Sequence, residues 1–463
     1  MRHYRKEAVV GYMGPAGKLA LAGAILALLS LLSKFISMID GTKVYLLSSY
    51  LGSLSIWAGR FSTITFYITA LMFICALILA LAEPNASRIR RAVMTAVFIP
   101  SRGNPLNLKD GELLPKIQVK PCGEGRYKIT VSAGTCPVES IEKVSSSISS
   151  ALIGRFENYA VTERESDLAF NTVTFTVEDV MVDRSITANS VKDLCSKEPT
   201  KLKVQKGVNI DLTTSGSMLL CGKTRSGKTT GAISLLLQIL AQGSDGHGSG
   251  VTIIDPKRAE LSMCSRHVVT LDDDGEARAV IEEMKAFAET MRVRQNFLNV
   301  CSQKEGNALH WWDVGFKPAV LFIDEFVALR SIYPKKAAKD DDYCLATFDG
   351  LLKRIVTMGA SAGCYVMISI AEASVEEGGL PSMLRSAMST KILFRATLPE
   401  ARLMWDSEKL TELNTSRTYL PGDAWFSSTD GKHDLVTYVH FPRLEFPEYR
   451  ELGRLLDELY VNK

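Results

Sequence analysis

The sequence predicts an α/β protein: two apolar helices, a small α+β module, and a larger domain on a mainly parallel, doubly wound sheet. Three observations carry this. Two long apolar runs stand within the first 82 residues. From residue 217 onward, apolar runs without alternation (SMLLCG, VTIIDP, AVLFIDE, CYVMISIA, TKILFRA) are separated by helical patterns, as expected of parallel strands covered by helices on both faces. Between these regions, two-residue alternation gives way to helical spacing and then returns.

Bulk properties set the bounds. A chain of 463 residues suits two or three domains rather than one. With 46% hydrophobic and 23% charged residues it is a folded protein, which excludes a disordered chain. A net charge of +3 excludes wholesale neutralisation of a nucleic acid, so any phosphate contact must be local. The nine cysteines stand singly with no CxxC pair, and read as reduced, mostly buried thiols of a cytosolic body.

The first element is a membrane hairpin over residues 1–83. Residues 19–39 (LALAGAILALLSLLSKFISMI) are interrupted only by Lys34, and residues 64–82 (ITFYITALMFICALILALA) carry no charge. Each is long enough to cross a hydrocarbon core of about 30 Å at about 1.5 Å per residue. Lys34 lies near one end, where its amine reaches the interface. A cleavable signal peptide is the other reading of the first run; its length, the lack of a small-residue cleavage site and the second span speak against it. Arg2, Arg5, Lys6 and Lys18 precede the first span and Arg88, Arg90, Arg91 and Arg102 follow the second, against Lys43 and Arg60 between them. Both ends should therefore face the cytoplasm, leaving a multi-pass protein of the cell membrane.

Residues 84–115, rich in Arg, Asn, Pro and Gly, read as a juxtamembrane linker. An α+β adaptor module follows over 116–195. It starts with alternation at Lys116, continues through RYKITVSAGT (126–135) and the amphipathic VESIEKVSSSISSALIGRF (138–156), and returns to a strand at TVTFTVEDV (172–180). The remainder, 196–463, alternates strands and helices and closes with the helical EYRELGRLLDELY (448–460).

The chemistry lies in that last domain. Gly222, Lys223, Thr224, Arg225, Ser226, Gly227, Lys228 and Thr229 fit GxxxxGK[ST], between an apolar strand and a helix starting near Thr230. In such a loop, glycines let successive N–H groups curl round a phosphate while the helix N-terminus adds positive charge. Lys228 would reach the β- and γ-phosphates of ATP and Thr229 would ligate Mg2+. Downstream, AVLFIDE ends in Asp324, placed to hold magnesium, and Glu325, placed to polarise the attacking water. VTIIDPK ends at the same sheet edge, making Asp255 and Lys257 site neighbours, although Asp255 equally suits a turn cap. These signatures define a RecA-like P-loop ATPase domain.

Taken together, GKTRSGKTTG, IIDPKRAEL, LFIDEF and LLKRIVTMGASAGCYVMIS resemble the FtsK/SpoIIIE family of DNA translocases, in order and separation, over residues 126–442. The membrane hairpin makes the chain most similar to the FtsK-like, TcpA-type coupling proteins of Gram-positive conjugative elements. The resemblance implies a ring, a hexamer, with DNA in its channel and ATP between subunits. The Gln that the family commonly carries at the end of the strand following the AVLFIDE strand is replaced here by Ala371 or Glu372, with Ser369 or Glu372 as possible substitutes. It also implies an arginine supplied in trans. Arg354 occupies a family-like position, and Arg385 and Arg395 are further candidates, each also an ordinary surface or salt-bridge residue.

The expectation is an ATP-driven DNA pump, a coupling protein for conjugation. A winged-helix domain is not expected after the motor, so substrate choice would come from relaxosome and conjugation-channel proteins. DNA would be held by its phosphates with little base preference. The segment 331–342, with Tyr333, Lys335, Lys336 and Lys339, is either such a contact or a solvated loop. The alternatives are a type VII-like protein-secretion ATPase, from which the single P-loop points away, a chromosome or plasmid-partition pump, and a scaffold with a dead site, against which the intact motif residues argue.

Overall fold

The computed structural model describes residues 14–38, 48–98, 105–106, 108–109, 111–134, 136–167, 171–339, 341–371, 381–406, 420–434 and 436–461. The chain divides into two compact units, residues 1–160 with 166–178, and residues 161–165 with 179–463.

In the first unit, α1 (Pro15–Ser37) and α2 (Ser48–Leu81) form a hairpin. Ser30 and Ser62 each donate a hydroxyl hydrogen bond to the other's carbonyl, at 3.0 and 3.1 Å, and Ser33 donates to the Ala58 carbonyl at 2.7 Å. Gly23 faces Met72 and Phe73 across the interface. Small and hydroxyl side chains at a helix interface are what packing without a hydrophobic drive requires. Leu28, Leu31, Phe35, Tyr67 and Leu71 point outward. Pro15–Ser37 and Ile56–Leu81 are long and apolar enough to cross a membrane, and only 17% of each apolar window is buried, unlike a soluble core helix.

The segment read as a linker contains a helix, α3 (Asn85–Phe98). Its Ile89, Val93 and Val97 form one buried stripe that packs on β1 (Ile117–Gly123) and α5 (Ser145–Ala151). Each such side chain contributes about 1.5–3 kcal/mol on burial, which outweighs the polar composition. Strands β1, β2 (Arg126–Ser132), β3 (Tyr159–Ser166) and β4 (Thr172–Asp179) form a sheet in the order β1-β2-β4-β3. The amphipathic run between β2 and β3 holds two α-helices, α4 (Val138–Glu142) and α5, parted at Lys143 and Val144, where the Ser145 hydroxyl donates to the Glu142 carbonyl, and then a 3-10 turn at Gly154–Phe156.

The second unit opens with β5 (Thr187–Ala188), α6 (Val191–Leu194) and the hairpin β6 (Lys201–Gln205) and β7 (Val208–Asp211). Residues 187–194 thus fall in the second unit, whereas the module was expected over 116–195. The main sheet follows: β8 (Met218–Cys221), β9 (Gly250–Ile254), β10 (Ala319–Ile323), β11 (Cys364–Ile370), β12 (Thr390–Phe394), β13 (Asp423–Ser428) and β14 (Thr437–His440). Its order is β14-β13-β12-β8-β11-β10-β9. The five strands β12 to β9 are parallel, and β13 and β14 add an antiparallel edge.

Alternate residues of each central strand enter opposite cores, which is why these strands read as continuous apolar runs. Leu219, Leu321, Ile323, Val366 and Ile368 face one core with α8 (Arg278–Glu305), α9 (Phe326–Ile332) and α10 (Leu345–Met358). Met218, Leu220, Val320, Phe322 and Met367 face the other with α7 (Lys228–Leu240) and α13 (Glu448–Val461). Between β11 and β12 lies α11 (Ser382–Ala387), and after β12 comes α12 (Leu398–Met404). The chain passes from β11 across β8 to β12, so the carboxyl ends of β8, β11 and β10 border a topological switch.

Candidate nucleotide site

The site is built at that switch. β8 delivers the chain to Gly222, and α7 begins at Lys228. Arg225 (φ 63°) and Gly227 (φ 91°) hold left-handed backbone, the alternation that gathers N–H groups into an anion-binding concavity. Gly227 tolerates no side chain, since a Cβ there would meet the Gly422 nitrogen at 2.3 Å. The Gly422 N–H donates to the Ser226 carbonyl at 2.9 Å, so the Pro421-Gly422-Asp423 turn closes against the loop. The Ser226 hydroxyl is buried without a hydrogen-bond partner, a polar atom suited to a ligand.

Opposite stands the end of β10. Glu325 takes φ 45° at the head of α9, a strained conformation for a non-glycine residue, of the kind that costs about 1–3 kcal/mol and collects at functional sites. Its Oε1 lies 3.8 Å from Lys228 Nζ and 2.8 Å from Lys257 Nζ. Asp324 is held above the usual carboxylate range, first by burial and then by Glu325 and Asp255, with Ser369 and Lys228 working against the rise. β11 runs between β8 and β10, in register Ser369 opposite Leu220 and Ile368 opposite Ile323. That places Ser369 beside Asp324, where its hydroxyl favours the charged carboxylate but reaches full hydrogen-bond geometry with no partner. Half-buried Thr229 and half-buried Asp324 offer oxygen donors only, and a divalent cation would offset the desolvation of Asp324; the pair fits magnesium.

The other sequence candidates separate by position. Buried Asp255 accepts N–H bonds from Lys257 (3.1 Å), Ala259 (2.9 Å) and Ser262 (3.1 Å), the geometry of a turn cap. Lys223, Thr224 and Arg225 are exposed on the loop, and Thr230 is half-buried in α7. Arg395 Nη1 donates to the Arg225 carbonyl at 3.5 Å and so lies at its own chain's loop. Arg385 is half-buried on α11 and donates to the Leu403 carbonyl. Arg354 is exposed on α10, within electrostatic reach of Glu289. Ala371 is exposed just past β11, and Glu372 lies outside the described residues. In the segment after α9, Tyr333 is buried against Tyr343 and Phe348, with its hydroxyl donating to the Ala277 carbonyl at 3.2 Å, and is not available to stack on a base. Lys335, Lys336 and Lys339 are exposed.

Two contributions escaped the sequence reading. Gly422 is signalled only by a Pro-Gly-Asp turn. Glu400 is buried, accepts from Thr397 Oγ1 at 2.5 Å, and faces loop residue Lys223 at 3.6 Å. Its Thr-Leu-Pro-Glu context is an ordinary helix-start signature that gives no hint of the loop.

A left-handed glycine-rich turn between strand and helix, facing an acid pair across the central strand, defines a P-loop ATPase. Residues 181–375 match the model of the FtsK/SpoIIIE family. No curated protein matches the chain. Among solved structures, the pCW3 conjugation coupling protein TcpA, in a monomer form with ATPgS, is similar at 16% identity and TM-score 0.44, over 75% of this chain and 94% of that one. EssC (ATPases 2 and 3) from Geobacillus thermodenitrificans is similar at 17% identity and TM-score 0.41, over 61% of this chain and 53% of that one. The cytoplasmic domain of the Thermomonospora curvata type VII secretion ATPase EccC gives 19% and 0.40, over 59% of this chain and 34% of that one.

Proposed function

We propose that the chain is a membrane-anchored, ATP-dependent DNA translocase that serves as a coupling protein in conjugative DNA transfer. The observation that carries the reading is the meeting of Lys228 and Glu325, 3.8 Å apart, at one edge of an FtsK/SpoIIIE-family sheet. Lys228 would hold the β- and γ-phosphates of ATP together with the N–H groups of 222–230, and Glu325 would orient and polarise the attacking water. Magnesium, held by Thr229 and Asp324, would supply positive charge against the charge that develops on the phosphates. Arg354, exposed on α10, suits a hexamer in which a neighbour supplies the trans arginine. The apolar hairpin would keep the motor on the cytoplasmic side of the cell membrane, with relaxosome and channel proteins selecting the DNA.

The test is ATP hydrolysis by the full-length protein in lipid nanodiscs, with and without duplex and single-stranded DNA. DNA should stimulate turnover, and Lys228→Ala should remove at least about 99% of it, as loss of a group that binds the transferring phosphate does. Stimulation by a secreted peptide and none by DNA would transfer the assignment to protein secretion.

A further inference from the structure

We infer that Lys257 is a positioning residue that engages the Glu325 carboxylate and thereby keeps basal turnover low. The inference rests on the reading of Glu325 as the residue that polarises water. Lys257 Nζ is 2.8 Å from Glu325 Oε1, nearer than Lys228 Nζ at 3.8 Å from the same oxygen. At 2.8 Å the Lys257 ammonium engages a lone pair of that oxygen and competes with water for it, whereas Lys228, at 3.8 Å, adds charge without a hydrogen bond.

The two lysines are held differently. Lys228 is buried at the first position of α7, with its backbone fixed by the loop. Lys257 has a side chain 52% exposed, so its ammonium can leave Glu325 for solvent at little desolvation cost. The backbone that delivers it is pinned. Asp255, 1% exposed, accepts the N–H groups of Lys257, Ala259 and Ser262, and Arg258 next to it takes φ 50° with its guanidinium on the Leu271 carbonyl at 2.5 Å. The loop therefore presents Lys257 at the same sheet edge whether or not its side chain stays on the carboxylate. Glu325 is itself strained at φ 45°, and such a conformation persists only where neighbours hold it. A fixed loop, a releasable cation and a strained carboxylate make a contact that can be broken without unfolding anything.

The experiment measures the DNA-free ATPase rate of the full-length protein in nanodiscs for wild type, Lys257→Met, Lys257→Arg and Glu325→Gln, together with the Kd for a fluorescent ATP analogue. Lys257→Met should raise the rate about fivefold, the factor that a half-exposed ion pair commands. Lys257→Arg, which keeps a cation in place, should lie nearer wild type. Should Lys257→Met lose nucleotide binding, Lys257→Gln carries the same comparison. A DNA-free rate that falls or stays level when the lysine is removed from a nucleotide-binding chain overturns the proposal. Because the readout needs no polymer, a motor that moves something other than DNA tests it equally well. A Glu325→Gln chain that still hydrolyses ATP would remove the underlying assignment, and this inference with it.

Discussion

At the scale of single residues, the site trades stability for charge. Asp324 is pushed above the ordinary carboxylate range by burial, so the folded state favours its neutral form. A folded-state pKa above the unfolded value means a contribution that is favourable below the unfolded pKa and lost as pH rises through the folded one. Above the unfolded pKa, Asp324 is therefore a net cost to the fold. Asp324→Asn should raise the Tm of the full-length protein at pH 7 while abolishing ATP hydrolysis, and the gain in Tm should vanish near pH 4, about where a carboxylate protonates in the unfolded chain. Calorimetry at both pH values checks this; a lowered Tm at pH 7 would show the carboxylate to be stabilising. Glu325 carries its cost in the backbone instead, at φ 45°.

At the scale of elements, legibility followed burial pattern. β8, β10 and β11 are buried along their whole length and could be read directly, and with them the loop and the acid pair at their ends. α3 was hidden because Arg88, Arg90 and Arg91 share its first turns with the buried Ile89 and Val93, and only packing decides between linker and helix. Tyr333 looked like a nucleic-acid contact among lysines, yet its ring completes the core beside Phe348. The turn between β13 and β14 offered no signal for His433, which is buried, bonds Asp430 at 2.7 Å through Nδ1, and faces Glu163 at 3.5 Å through Nε2. Burial alone would lower its pKa, but the two carboxylates outweigh it and push it up to about 9. The imidazolium thus contributes stability that is complete below about pH 6.5 and is lost as pH rises through 9. The Tm should fall across that window in wild type and change less in His433→Gln; equal slopes would remove the histidine as the cause.

At the scale of the whole molecule, the question is how a chain with a net charge of only +3 would grip DNA. A weakly charged protein gains little from its overall field, so under the proposed function affinity would come from a few lysines or arginines near the phosphates. Lys335, Lys336 and Lys339 are exposed beyond α9, the helix that Glu325 heads, so a phosphate contact there would bear on the element next to the proposed water-polarising residue. Each duplex phosphate neutralised adds about 0.9 to the magnitude of the slope of log K against log salt. Replacing all three lysines by alanine should therefore reduce that slope by about 2.7 per engaged subunit, with DNA-free ATP hydrolysis unchanged. Fluorescence anisotropy of labelled duplex DNA between about 50 and 200 mM salt reads it. A variant with the wild-type slope would make the segment a solvated loop and move the DNA contact elsewhere on the motor.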